Sequence, residues 1–159
     1  MLSLYRLAPE GWLTINLLIM KHFNELDAAE KEMLLKFPAY ISLLAANNDY
    51  SLNEKEKKEA SKFCHIKTYT CHPLLQDFYR EAEKVFDRNI EELDRDLPKG
   101  KEERETAIKS ALSEMDPILH RLGEQYALIM HKGMRTFKDH VSKAHFNILE
   151  SLIFPLPNI

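Results

Sequence analysis

Two carboxylates seven positions apart, Asp49 and Glu56, give this chain the residue types to hold an ion. Asp49 closes a polar run, Asn47-Asn48-Asp49, and Glu56 belongs to the charged segment that follows, Asn53-Glu54-Lys55-Glu56. Hard cations such as Ca²⁺ and Mg²⁺ want clustered oxygens, and a polar turn adds backbone carbonyls and the side-chain amides of Asn47 and Asn48. Two carboxylates are too few for tight binding, so a third acid has to come from elsewhere in the fold. The same residues also have plain helix-end roles. Asp49 ends one helix, and Glu56, three residues after Asn53, reciprocates a helix cap.

A second set of ligand types is the repeated pair Cys64-His65 and Cys71-His72. Thiolate and imidazole suit zinc, but structural zinc sites place paired ligands two to four residues apart across a turn. On one continuous helix the two pairs would share a face yet lie about 10 Å apart. A buried thiol beside an ordinary histidine is the simpler expectation, and Cys64 beside His65 is no dyad, because neighbouring helical residues point about 100° apart. His120, His131, His140 and His145 lack the four-residue spacing that puts two imidazoles on one turn. Glu-x-x-His repeats, Gly-rich phosphate loops and nucleophile elbows are missing too. An enzyme would therefore need histidines and acids brought together across helices, and it stands as the remote alternative.

The elements that position these residues read as helices throughout. Pro9 opens a first helix with Leu13, Leu17 and Met20 on one side. Asp27 to Glu30 has the form of a capping box, and Met33, Leu34, Phe37, Ile41 and Leu44 follow on the inner face; Pro38 predicts a kink or break there. Asn53 caps the next helix, which buries Ala60 and Phe63, and Thr68 to His72 reads as a connection. His72-Pro73 starts a helix whose stripe is Leu75, Phe78, Ala82, Val85, Phe86 and Leu93, with Arg88–Glu92 and Glu91–Arg95 as wet-side ion pairs. Leu97-Pro98-Lys99-Gly100 ends it. From Lys101, Ile108, Leu112, Met115, Leu119, Leu122, Tyr126 and Ile129 alternate steps of four and three. That phase predicts one long helix, kinked at Asp116-Pro117 and capped by Gly133. Thr136 to Asp139 forms a fresh capping box for a last helix carrying Phe137, Val141, Ala144, Ile148 and Leu152, and Pro155-Leu156-Pro157 ends it.

The bulk properties agree with an all-α bundle of about six helices, some kinked at proline. We expect a single domain over 1–159, with a lead-in at 1–8 and a tail at 155–159. The chain has 159 residues, 45% hydrophobic and 30% charged, which suits a globular protein of one domain. Only 4 glycines leave little material for tight hairpins. A net charge of -3 argues against a general nucleic-acid binder. Trp12 to Met20 is apolar but too short to span a bilayer and lacks the positive start of a secretory signal. A cytoplasmic protein with free thiols is the expectation.

The stretch from Leu43 to Glu59 resembles the TerB-like family, small helical domains named for a tellurite resistance protein. The family pattern is a helix ending in small residues, then Asp-Gly, a variable residue, Ile or Val, Ser or Thr, two variable residues and Glu. Ala45 and Ala46 take the small positions, Asp49 the Asp, Leu52 the aliphatic position, Asn53 the cap and Glu56 the acid. Tyr50 departs from the pattern by standing where the family has glycine; tyrosine resists the positive φ that glycine accepts. The match covers about a tenth of the chain. It implies a non-enzymatic helical domain with a divalent-cation site at Asp49 and Glu56, Ca²⁺ or Mg²⁺ ahead of Zn²⁺, and no organic cofactor. It also implies a docking role in a stress response. The rival expectation is a metal-free interaction protein, a homo-oligomer or partner binder using the apolar Trp12, Leu18 and Phe154.

Overall fold

Short polar side chains start two of the helices of this chain, and the structure, a computed structural model, describes residues 23–46 and 50–141. Among these residues are six α-helices and no strand: α1 (Ala28–Leu35), α2 (Phe37–Ala45), α3 (Glu54–Thr70), α4 (Gln76–Asp96), α5 (Lys101–Arg121) and α6 (Glu124–Val141). The fold is all-α, as the periodicity requires, and no described helix is long and apolar enough to cross a membrane. Two of the three expected capping boxes form. The Asp27 carboxylate accepts from the Glu30 amide at 2.8 Å, and Glu30 accepts from the Asp27 amide at 3.4 Å. Asn53 accepts from the Lys55 and Glu56 amides, both at 3.0 Å, while the Glu56 carboxylate accepts from the Asn53 amide at 2.9 Å.

At the core lies α2. Every residue of this helix except Tyr40 is buried, so it is apolar all round and packs against α4, α5 and α6. Burying each of its large side chains, such as Phe37, Ile41 and Leu44, contributes roughly 1.5–3 kcal/mol. The chain breaks at Lys36, between α1 and α2, which places Pro38 in the first turn of α2, where a missing N–H costs nothing. The break leaves the Leu35 carbonyl facing the interior, and the buried Asn89 of α4 donates to it at 3.1 Å. One buried cluster unites apolar residues from all six helices.

Several boundaries differ from the sequence expectation. The segment Thr68-Tyr69-Thr70, expected in a connection, stays helical as the last turn of α3. Its threonine hydroxyls find carbonyls inside the helix, Thr70 donating to Ile66 at 3.1 Å. The connection therefore shrinks to Cys71-His72 and a 3-10 turn at Pro73–Leu75. Pro117 lies inside α5, and the long helix ends at Arg121 instead of running on to Ile129. Gly123 has φ 112°, a conformation open to glycine, and it turns α6 back along α5. Gly133 caps nothing. It sits inside α6, where the stripe Tyr126, Met130, Met134 and Phe137 runs straight past it, and Thr136 donates to the Lys132 carbonyl at 3.1 Å instead of starting a helix. Arg88 pairs with Glu92 at 3.8 Å as expected, but Arg95 turns to Asp96 at 2.7 Å and not to Glu91. The expected first helix from Pro9, the tail from Ala144, and Trp12, Leu18 and Phe154 lie outside the described residues.

The position of Gly133 has a consequence for stability. A Cβ there would meet Tyr79 Oη at 3.4 Å and Leu75 Cδ1 at 3.5 Å, ordinary contact distances, and Tyr79 Oη has no hydrogen bond to lose. Gly133→Ala is expected to stabilise the chain by about 0.5–1 kcal/mol, raising the melting temperature by roughly 2–4 °C. A lower melting temperature in calorimetry would show that α6 needs the glycine for a closer approach.

Candidate functional site

Of the two expected cation ligands, Glu56 is described and Asp49 lies outside the described residues. Glu56 spends its carboxylate on the Asn53 amide, the helix-end role open to it from the sequence. The frame around the turn is well defined. Tyr50 has φ 53°, so the tyrosine adopts the left-handed conformation that glycine would supply, at a cost of roughly 1–2 kcal/mol. Its hydroxyl donates to Glu105, and burial followed by this bond pushes the phenol up to about 12.

The Tyr50 carbonyl accepts from Arg104 Nε at 3.0 Å. Arg104 is 3% exposed, and its Nη2 donates to Asp94 Oδ1 at 2.6 Å, while Nη1 lies 3.4 Å from both the Asp94 and Pro98 carbonyls. Ser51 donates to the same Asp94 oxygen at 3.2 Å. The guanidinium thus joins the turn before α3 to the end of α4 and the start of α5. One sequence signal for it existed: Arg104 occupies the stripe position four before Ile108.

The Cys-His pairs separate. Cys64 points into the core, where burial, then Glu83 and Asp87, push its thiol up to about 12. His65 turns outward to Glu83. Cys71 is half-buried with its thiol also raised by burial, and His72 Nδ1 accepts from the Leu74 amide at 3.2 Å. Both thiols are free and held protonated, which makes them poor nucleophiles. Among the described residues no group of three or more His, Cys, Asp or Glu side chains is placed to hold a metal ion.

Two of the four later histidines do come together. The reversal at Gly123 sets His131 Nε2 3.1 Å from Asp116 Oδ1, and His120 Nε2 lies 3.4 Å from Asp116 Oδ2. His120 Nδ1 meets Glu124 at 2.7 Å, and the neighbouring Arg121 pairs with Glu30 of α1. The Glu124 bond, and then Asp116, raise the His120 pKa; burial lowers that of His131 against a pull from Asp116. His120 and Asp116 are 42% and 48% exposed, so water screens the cluster instead of being excluded as acid–base chemistry prefers. His140 lies apart, stacked on Phe63 at 4.0 Å, and His145 is outside the described residues.

A feature not anticipated is the outer face of α3. Lys55, Lys58, Lys62, Ile66 and Tyr69 are all exposed and follow one another at steps of three and four. Ile66 and Tyr69 are the exposed large hydrophobics among the described residues, and Tyr69 is 74% exposed. The Tyr69 ring stands edge-on to His65 at 5.3 Å. His65 is held by Glu83 of α4, which also accepts from Thr68 at 3.0 Å. Glu83 is kept below the usual carboxylate range, first by His65.

Both histidines on Asp116 offer a titration. A raised His120 pKa stabilises the fold below the unfolded value of about 6.5 and loses that contribution as pH rises through the folded pKa. A lowered His131 pKa acts oppositely, its contribution present above the unfolded value and lost as pH falls through the folded pKa. In histidine NMR titrations Asp116→Asn is expected to lower both midpoints, and unchanged midpoints would remove Asp116 as their common partner. Comparison with family models, with curated proteins and with solved structures returns no match for this chain.

Proposed function

We propose that this chain is a non-enzymatic helical docking module that meets a protein partner through the outer face of α3. The observation that carries this reading is Tyr69. It is three-quarters exposed, yet its ring is propped by His65, and His65 is tied through Glu83 to the neighbouring helix. Tyrosine offers a large contact area with few rotors, and a pre-positioned one loses little freedom on binding. Because the side chain is exposed, Tyr69→Ser is expected to leave the melting temperature nearly unchanged. A partner captured from a lysate of the source cells by the unaltered chain should be lost from Tyr69→Ser. A partner set indifferent to the substitution would remove this face from the reading.

The TerB-like resemblance supports a second reading, a divalent cation at the acidic turn, and the left-handed φ of Tyr50 favours it. The departure from glycine has not cost the turn its conformation at that position. Amide NMR titration with Ca²⁺ and Mg²⁺ is expected to give saturable shifts around 50–57 that Asp49→Asn abolishes. Spectra unmoved by either ion would leave Asp49 and Glu56 as helix-end residues.

A further inference from the structure

We propose that the partner segment of the α3 face is an acidic peptide carrying an aliphatic or aromatic anchor. The inference rests on the docking reading and specifies its chemistry. Charge complementarity carries it. In a chain of net charge -3, Lys55, Lys58 and Lys62 lie on one face of α3 with one exposed carboxylate among them, Glu59, and enter no ion pair among the described residues, whereas Lys57 reaches Glu54 at 3.3 Å; the face therefore keeps an excess of positive charge. Lys55 lies in the first turn of α3, where the helix dipole disfavours cations.

The same face then turns apolar. Lys55, Lys62 and Tyr69 recur every seven residues, nearly in line over about 21 Å, with Lys58 and Ile66 beside them. A segment lying along this line meets positive charge at one end and an apolar contact at the other, which fixes its direction. The groove between α3 and α4, about 440 Å³, sets Lys57, Lys58 and Lys62 of α3 opposite Asp87 and Glu91 of α4, so an acidic segment follows the outer line of Lys55, Lys62 and Tyr69 instead of entering the groove. An anionic membrane fits less well: surface-lying helices insert a continuous apolar face, and that of α3 is buried in the core.

The experiment pans a random library of peptides about fourteen residues long, the helical length of this line, on the full chain. Recovered peptides are labelled and their affinities measured by fluorescence anisotropy. Sequences rich in Asp and Glu with one large apolar residue are expected. Their binding should fall about tenfold or more with Lys55→Glu/Lys58→Glu/Lys62→Glu and with Tyr69→Ser, and weaken as salt rises. Circular dichroism checks that both variants fold. Peptides lost with Tyr69→Ser but indifferent to the lysine reversal would overturn the acidic partner and leave the docking reading intact. No enrichment, or binding indifferent to both variants, would overturn both. Sedimentation with phosphatidylserine vesicles that the lysine reversal abolishes, or self-association that Tyr69→Ser abolishes, would replace the peptide by a lipid surface or a second copy.

Discussion

A single buried guanidinium holds together parts of this chain that are far apart in sequence. Arg104, at the start of α5, reaches the Tyr50 carbonyl, the carboxylate and carbonyl of Asp94 near the end of α4, and the Pro98 carbonyl beyond it. Asp94 is 32% exposed, but removing it would leave a guanidinium that is 3% exposed without its counter-charge, and an uncompensated buried charge costs about 3–5 kcal/mol. That exceeds the cost of holding Tyr50 in a left-handed conformation. The turn is strained where it is because the clamp outweighs the strain, and α3 starts from a fixed point.

Local chemistry was readable in the sequence, and reversals of the chain were not. Asp27 and Asn53 each carry their capping partner three residues away, so the signal and the structure occupy the same few residues. Gly123 and Gly133 look alike in the sequence, but only Gly123 sits where α6 must fold back on α5. The apolar spacing runs through both, since helices on either side of a tight reversal present their stripes to the same core. Periodicity measures which side faces inward and says little about where the chain turns.

The same distinction separates the polar clusters. His120 lies four residues from both Asp116 and Glu124, a spacing visible in the sequence. His131 joins them only because the chain reverses between α5 and α6. The α3 face was hidden for another reason: its lysines and glutamates look like an ordinary solvated surface until the ion pairs are assigned. Once Lys57 is seen to turn to Glu54, the lysines that remain fall on one outer face, with Glu59 among them.

The first turn of α3 brings the two functional readings into one energy balance. Glu56 caps Asn53 through one carboxylate oxygen, and a cation that drew this oxygen away from the amide would cost about 0.5–2 kcal/mol. The loss would fall on the turn that carries Lys55, whose charge already opposes the helix dipole there. A cation at the neighbouring turn would also add positive charge beside that lysine. An acidic segment on the ridge and a cation at the turn would therefore act on the same helix, the first by opposing the charge of its lysines and the second by adding to it. Their binding would be linked through α3, each changing the affinity for the other by the same factor.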